Sequence, residues 1–167
     1  GHVAERYFRV AHDALRAADP DVLILGARFI AYGQGADTIA AAGPFVDVLS
    51  VNAYEWNADW TTIAANAARA YDLLPVGELL DDVDAMYGLT GKPILITEFG
   101  YRADDSVPPN TWPPVYPHLV DQTARAQAYE DYLERVLARP HIVGAHWFEW
   151  ADQPATGRFD GEDNNWG

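Results

Sequence analysis

The sequence predicts an α/β fold in which parallel strands alternate with helical crossovers, and three observations point to it. Apolar residues make up 49% and charged residues 22% of the 167-residue chain, which is typical of a globular domain. Short continuous apolar runs recur along the chain and indicate strands that are buried on both faces. Segments with helical periodicity separate these runs. The predicted order is therefore one helix, then four parallel strands joined by three helical crossovers.

The first half of the chain is predicted to contain two helices and two strands. These are a helix over 3–18, a strand over 22–25, a helix over 36–42 and a strand over 47–52. Proline disfavours the helical conformation for the residue before it, so Asp19-Pro20 should end the first helix. The apolar stripe expected to be buried on this helix consists of Tyr7, Val10, Ala11, Ala14, Leu15 and Ala18.

The second half is predicted to contain three helices, two strands and a polar tail. In chain order these are helices over 61–74 and 75–87, a strand over 93–98, a helix over 121–138, a strand over 141–148 and a loop over 151–167. Gly88 is expected to end the second of these helices, because glycine readily follows the last helical residue.

Two architectures fit this order: an open, doubly wound sheet, or half of an eight-stranded β/α barrel. A Gly-rich phosphate loop is missing after the first predicted strand, which removes the main support for a nucleotide-binding open sheet. Polar and aromatic residues cluster just after the strands, where barrels hold their active sites. A whole barrel needs about 250 residues. We therefore predict the second half of a TIM-type barrel, strands five to eight.

Composition excludes several classes of partner and cofactor. Lys plus Arg total 11 and Asp plus Glu total 25, a net charge of −14 that repels nucleic acids and anionic membranes. The chain has no cysteine, and its five histidines show no metal-binding spacing, so neither a metal nor another cofactor is predicted. Most of the six tryptophans lie in loop-like segments, where indoles could stack against sugar rings.

Glu98 is the residue that most strongly suggests chemistry. It closes an apolar strand, and a carboxylate at a barrel mouth can act as a nucleophile or a base. The alternative is a structural Glu that caps a helix or pairs with Arg102. Asn52 and Tyr54 share one face of the preceding strand by alternation. The Tyr54 hydroxyl could bond to Glu98 or remain at a solvated rim of the core.

Trp147 and Arg28 are further candidates that follow strands. The Trp147 indole at the end of the fourth strand could support a pyranose ring or simply fill the core. Arg28 could orient a carboxylate, bind a sugar hydroxyl or form a structural salt bridge. The tail residues 152–154 and 158–165 could bind hydroxyls or calcium, although they lack the spacing of an EF-hand loop. A solvated loop is the commoner explanation for such a polar run.

Several segments resemble the clan A retaining glycoside hydrolases. Residues 92–100 (KPILITEFG) resemble the nucleophile motif of the seventh strand, and 48–54 (VLSVNAY) resemble the sixth strand. Residues 146–154 (HWFEWADQP), with the tail that follows, are similar to the eighth strand and loop of β-agarase-like members. The opening helix and 25–29 (LGARF) are similar to the fourth helix and fifth strand.

This resemblance implies that residues 1–167 are a partial glycoside hydrolase catalytic domain, the C-terminal half of the barrel. It implies retaining hydrolysis of O-glycosidic bonds in a polysaccharide or oligosaccharide, such as an agarose-type galactan. Glu98 would be the nucleophile, Tyr54 its hydrogen-bond partner, and Trp147 the platform beneath the sugar. The implied substrate-lining residues are Arg28, Asn52, Trp56, Glu149, Asp152 and Gln153.

In this clan a Glu after an Asn, at the end of the fourth strand, is the general acid/base, and that strand would precede residue 1. The expected partners are therefore a carbohydrate substrate and the missing N-terminal half, and the 167 residues alone are expected to be inactive. The resemblance also implies an extracellular or periplasmic location. Two alternatives stay open. One is a non-catalytic carbohydrate-binding module or inactive remnant, and the other is a barrel hydrolase that uses Glu98 as a general base.

Overall fold

A computed structural model describes residues 1–30, 34–56, 59, 61–63, 65–66, 80–107, 116–154, 156–159 and 166. Its helices are α1 (His2–Ala18), α2 (Ala36–Ala42), α3 (Asp81–Thr90) and α4 (Gln122–Leu137), with a 3₁₀ turn at Gly43–Phe45. Its strands are β1 (Arg28–Ile30), β2 (Leu49–Asn52), β3 (Ile94–Phe99), β4 (Arg102–Ala103), β5 (His118–Leu119) and β6 (Ile142–Trp147). Among the helices of these described ranges, none has the length and apolar character that crossing a membrane requires.

The main sheet has four parallel strands in the order β1-β2-β3-β6. The short strands β4 and β5 form a separate parallel pair. Strands that follow one another in the main sheet are separated in the chain by helical segments. This confirms the predicted α/β fold with parallel strands.

The first predicted strand, 22–25, is wrong: β1 is formed by Arg28–Ile30 instead. The side chain of Asp47 accepts the backbone N–H of Ile24 at 2.8 Å, and the carbonyl of Ile24 accepts the N–H of Asp47 at 2.8 Å, just before β2 begins. Gly26 then turns the chain with φ of +71°, a conformation that glycine adopts without strain. Arg28 consequently opens the strand rather than following it.

The helix boundary predicted at Gly88 is also wrong, because α3 continues to Thr90. Gly91 follows it in the left-handed conformation, with φ of +62°, and its N–H bonds to the carbonyl of Tyr87 at 2.7 Å. The predicted helix over 61–74 is helical at 61–63 and 65–66. The remainder of that helix beyond 66, and the start of the next over 75–79, lie outside the described ranges.

One face of the main sheet packs against the helices, and we call it the helix face; it carries Phe29, Val51 and Phe99, each 7% exposed or less. α1 contributes Phe8 to this core, with its ring 6.1 Å from that of Phe29. The stripe predicted for α1 is therefore wrong, since Tyr7 is 63% exposed. The helix has apolar residues on more than one side, and only its contact with the sheet selects Phe8.

The opposite face carries Arg28, Asn52 and Glu98, and we call it the open face. Alternation along β1 and β2 places Arg28 and Asn52 here, because their neighbours Phe29 and Val51 are in the core. The end of β3 is irregular. Three residue steps from Ile96 to Phe99 match only two on β6, which is a β-bulge. The bulge lies where the strand presents its polar residues.

Candidate active site

Glu98 lies at the centre of the site, near the end of β3, and its side chain is 17% exposed. The hydroxyl of Tyr54 donates to Oε2 at 3.1 Å. The guanidinium of Arg28 lies 2.7 Å from Oε1. Because each oxygen interacts with a different donor, the orientation of the carboxylate is fixed by charge-assisted contacts.

The bulge in β3 places a second polar side chain beside Glu98. Thr97 donates from Oγ1 to Oδ1 of Asn52 at 2.9 Å, and Glu98 is the register partner of Asn52. Thr97 and Glu98 are consecutive in a strand, yet both interact with residues of the open face. A regular pleat would send one of them to the helix face. Sequence analysis missed Thr97 because a bulge leaves no clear pattern in the residue types.

Tyr54 is held by aromatic rings that the sequence did not indicate. The ring of Tyr116 stacks on it at 4.8 Å between centroids, with 25° between the planes, and Trp166 lies 5.8 Å away. Trp166 is 1% exposed. The tail over 151–167 was predicted as a polar loop, and Trp166 within it is buried. Burial of a large indole outweighs the polar character of its neighbours in the sequence.

Trp147 lies on the helix face, contrary to the prediction that it shares a cleft with Glu98. Its ring lies 5.5 Å from that of Phe99 and 5.3 Å from that of Tyr129 on α4. The guanidinium of Arg125, also on α4, lies 5.1 Å from the indole centroid. The indole N–H donates to the backbone carbonyl of Trp166 at 3.0 Å. Trp147 is the register partner of Phe99, so the pleat directs both side chains toward α4.

These contacts show which groups Arg28, Tyr54 and Glu98 touch. Arg28 interacts directly with the carboxylate of Glu98, and Arg102 is fully buried. The Tyr54 hydroxyl bonds to Glu98 instead of remaining only in water. The structure thus brings three of the predicted residues into direct contact and places Asn52 beside them.

The residues predicted after β6, and Trp56, have the following surroundings. Gln153 is 6% exposed and donates to Oε1 of Glu149 at 2.6 Å, whereas Asp152 is exposed. Trp56 follows Tyr54 by two residues and is half-buried. The part of the polar tail over 160–165 lies outside the described residues.

Comparison with known proteins shows that the chain is similar to agarases. No protein-family profile matches it. It is 34% identical over 168 residues to Beta-agarase A of Vibrio sp. (strain JT0107), covering 98% of this chain and 15% of that protein. Its structure is similar to that of PfGH50B, with a TM-score of 0.76 and 33% identity over 98% of this chain and 20% of that one.

A solved exo-beta-agarase gives a TM-score of 0.74 at 33% identity, covering 98% of this chain and 19% of that one. In the comparison with the curated protein Beta-agarase A, the chain spans 15% of that protein's length. The similarity extends over nearly every residue of this chain and appears in both sequence and structure. The chain is β-agarase-like, similar over almost its whole length to one segment of those longer proteins.

Proposed function

We propose that this chain forms the second half of a β/α-barrel glycoside hydrolase that cleaves an agarose-type galactan with Glu98 as its nucleophile. Three features support the barrel: four parallel strands, their order along the sheet, and described helices that pack against one face of it. The names of the similar proteins support the substrate. The first half of the barrel, and with it the general acid/base, would come from sequence outside residues 1–167.

The observation that carries this proposal is the arrangement of Tyr54, Glu98 and Arg28. A nucleophilic carboxylate must be aimed at the anomeric carbon, and here two donors hold its two oxygens. Its position at the carboxyl end of a parallel strand is where barrel enzymes hold their catalytic groups. The open face is also the side that the described helices leave uncovered.

The proposed reaction has two steps. A carboxylate oxygen of Glu98 attacks the anomeric carbon, and the bond to the leaving oxygen breaks as the acid outside this chain protonates it. Water then attacks the glycosyl ester, its proton goes to the same outside group, and the Glu98 carboxylate is restored. A retaining pair of carboxyl groups stands about 5–5.5 Å apart. Tyr54 and Arg28 keep Glu98 in place at the start and end of the cycle.

The test is Glu98→Gln in the full-length protein that carries this segment, assayed for release of reducing sugar from agarose. We expect activity to fall at least about 10³-fold, because the nucleophilic charge is removed while the shape is kept. Glu134→Gln, at an exposed position of α4, is the matched control and should retain full activity. Turnover above about 1% of wild type in Glu98→Gln contradicts the proposal.

A second measurement separates a nucleophile from a general base. A 2-deoxy-2-fluoro galactoside with a good leaving group should trap the glycosyl ester, and mass spectrometry should place it on the peptide that contains Glu98. A general base forms no such adduct. Hydrolysis without labelling of Glu98 would support the base mechanism, and binding of agarose without any hydrolysis would support a carbohydrate-binding module.

A further inference from the structure

The backbone just before Tyr54 is anchored by a residue far away in the sequence. The hydroxyl of Tyr132, on α4, donates to the carbonyl of Ala53 at 2.6 Å. The N–H of Ala53 in turn donates to the carbonyl of Glu98 at 2.9 Å. Tyr132 is fully buried and Ala53 is 2% exposed, so this bond is shielded from water. The peptide that leads into Tyr54 is thus fixed both to α4 and to β3.

The residue just after Tyr54 is anchored as well. The carboxylate of Glu55 accepts the hydroxyl of Tyr101 at 2.7 Å through Oε2, and Arg135 of α4 lies 3.0 Å from Oε1. Tyr101 comes three residues after Glu98. The segment that carries Glu98 therefore also holds the residue next to Tyr54. We call Tyr132, Glu55, Tyr101 and Arg135 the brace.

Both tyrosines of the brace have a raised pKa, which favours the protonated hydroxyl that donates. Burial raises the pKa of the Tyr132 hydroxyl far above its usual range, and the Glu55 carboxylate adds to this. Burial likewise raises the pKa of Tyr101, followed by the effect of its bonded neighbour Glu55. Both hydroxyls therefore stay protonated at neutral pH and can donate to Ala53 and Glu55.

We propose that Tyr132 is a positioning residue that acts on catalysis through Tyr54, with Glu55 as the second anchor of the same brace. The proposal rests on the proposed role of Glu98. Tyr132 does not reach the carboxylate. It holds the peptide of Ala53 in the position from which the Tyr54 hydroxyl reaches Oε2 of Glu98. Since a displacement of 1 Å can cost about 10²-fold in rate, anchoring both neighbours of Tyr54 has a catalytic consequence.

The experiment is a double-mutant cycle in the full-length protein, with Tyr132→Phe, Tyr54→Phe and the two combined. The kcat and KM for an agarose oligosaccharide are measured, together with the rate of labelling by the fluorinated galactoside. We expect Tyr132→Phe alone to lower kcat and the labelling rate about fivefold to twentyfold, with KM changed less than about twofold. In the Tyr54→Phe background the same change should have less than about a twofold effect, because the group it positions is already absent.

Tyr129→Phe is the matched control. It removes the same hydroxyl from the same helix, one turn away, and keeps the stacking of the ring on Phe99 at 5.7 Å. Its kcat should match wild type in both backgrounds. If Tyr132→Phe does not fold, Glu55→Gln provides the second variant, since it loses the charge paired with Arg135 and keeps an acceptor for Tyr101. Its effect on kcat should also vanish in the Tyr54→Phe background.

Two results would overturn the proposal: an unchanged kcat in Tyr132→Phe, or an equal loss in both backgrounds, which is what general destabilisation produces. The role of Glu98 is judged separately. If Glu98→Gln remains active, the proposed function fails whatever the cycle shows. If Glu98→Gln is inactive and the cycle is additive, only the positioning role fails.

Discussion

The phenol oxygen of Tyr54 lies 3.1 Å from Oε2 of Glu98, which joins the loop after β2 to the end of β3 across the open face. The two residues are 44 positions apart in the chain. Parallel pairing of β2 with β3 makes Asn52 the register partner of Glu98 and so carries Tyr54 to the same edge of the sheet. The contact is thus a product of strand register.

Tyr54→Phe should lower kcat about 10- to 100-fold, because a hydrogen bond to a charged group contributes about 1.5–3 kcal/mol. The ring remains, so its stacking on Tyr116 should hold the loop in place. Tyr7→Phe, at a position 63% exposed on α1, is the control and should be neutral. The measurement is steady-state hydrolysis of agarose by the full-length protein. An unchanged kcat would show that the bond to Glu98 has no catalytic role.

Arg28→Gln should have a smaller effect, about twofold to tenfold on kcat, because its side chain is 54% exposed and exposed ion pairs are screened. Because salt screens this ion pair, the difference in kcat between Arg28→Gln and wild type should become smaller as the salt concentration rises from about 0.05 to 0.5 M. Arg6→Gln, exposed on α1, is the control for a general effect of charge. A loss that stays constant with salt would mean that Arg28 acts by shape or hydrogen bonding rather than by charge.

Asp82 should make stability depend on pH. It is 7% exposed, and burial raises its pKa from 3.8 to about 7. Between these values the folded protein keeps a proton that the unfolded chain has lost. Stability is therefore highest below pH 4 as far as this group is concerned, and falls as the pH rises through 7, by at most about 4 kcal/mol.

Asp82→Asn should remove this dependence of stability on pH, because the amide cannot ionise. Its oxygen can still accept the N–H of Val83, which lies 2.8 Å from Oδ1 of Asp82 in the wild-type protein. Thermal unfolding midpoints at pH 5 and pH 8 provide the measurement. The gain of the variant over wild type should be larger at pH 8 than at pH 5, because the loss of stability in wild type begins near pH 4 and is complete only above pH 7. Asp21→Asn, at an exposed position, should leave the wild-type pH dependence intact. If Asp82→Asn shows the same pH dependence as wild type, Asp82 does not carry that proton.

Gly100→Ala should destabilise the protein by about 1–3 kcal/mol, the usual cost of overpacking. A Cβ at Gly100 would lie 2.3 Å from the carbonyl oxygen of Phe148 and 3.0 Å from a ring carbon of Trp166. Both neighbours would have to move, and Trp166 packs beside Tyr54, so activity should fall as well.

Gly88→Ala is the matched comparison. Nothing lies within 4 Å of a Cβ at this position, which is in the interior of α3. Alanine is the better helix former, so stability should rise by up to about 1 kcal/mol. Chemical unfolding of both variants distinguishes the two sites. Equal effects of the two substitutions would contradict the close packing at Gly100.

The alternation of strands and helices was predictable because it depends on local sequence patterns, namely short apolar runs for strands and the 3.6-residue period for helices. The predicted ends of the strands were also close enough to the observed ones to place Glu98 and Tyr54 at the same edge of the sheet. Side-chain direction was less predictable. Trp147 was assigned to the wrong face because the bulge in β3 and the pairing with Phe99 set its direction, and neither appears in the residue types.

The sequence by itself determined that this protein is an α/β chain of parallel strands, related to the agarases, with a carboxylate at the end of its third main strand. Only the tertiary structure decided which groups touch that carboxylate and which side chains support them. Tyr132 binds Ala53 across 79 positions and Trp166 is buried beside Tyr54. The physical reason is that periodicity depends on near neighbours, whereas register, face coverage and hydrogen bonds between distant segments are set by how the elements pack.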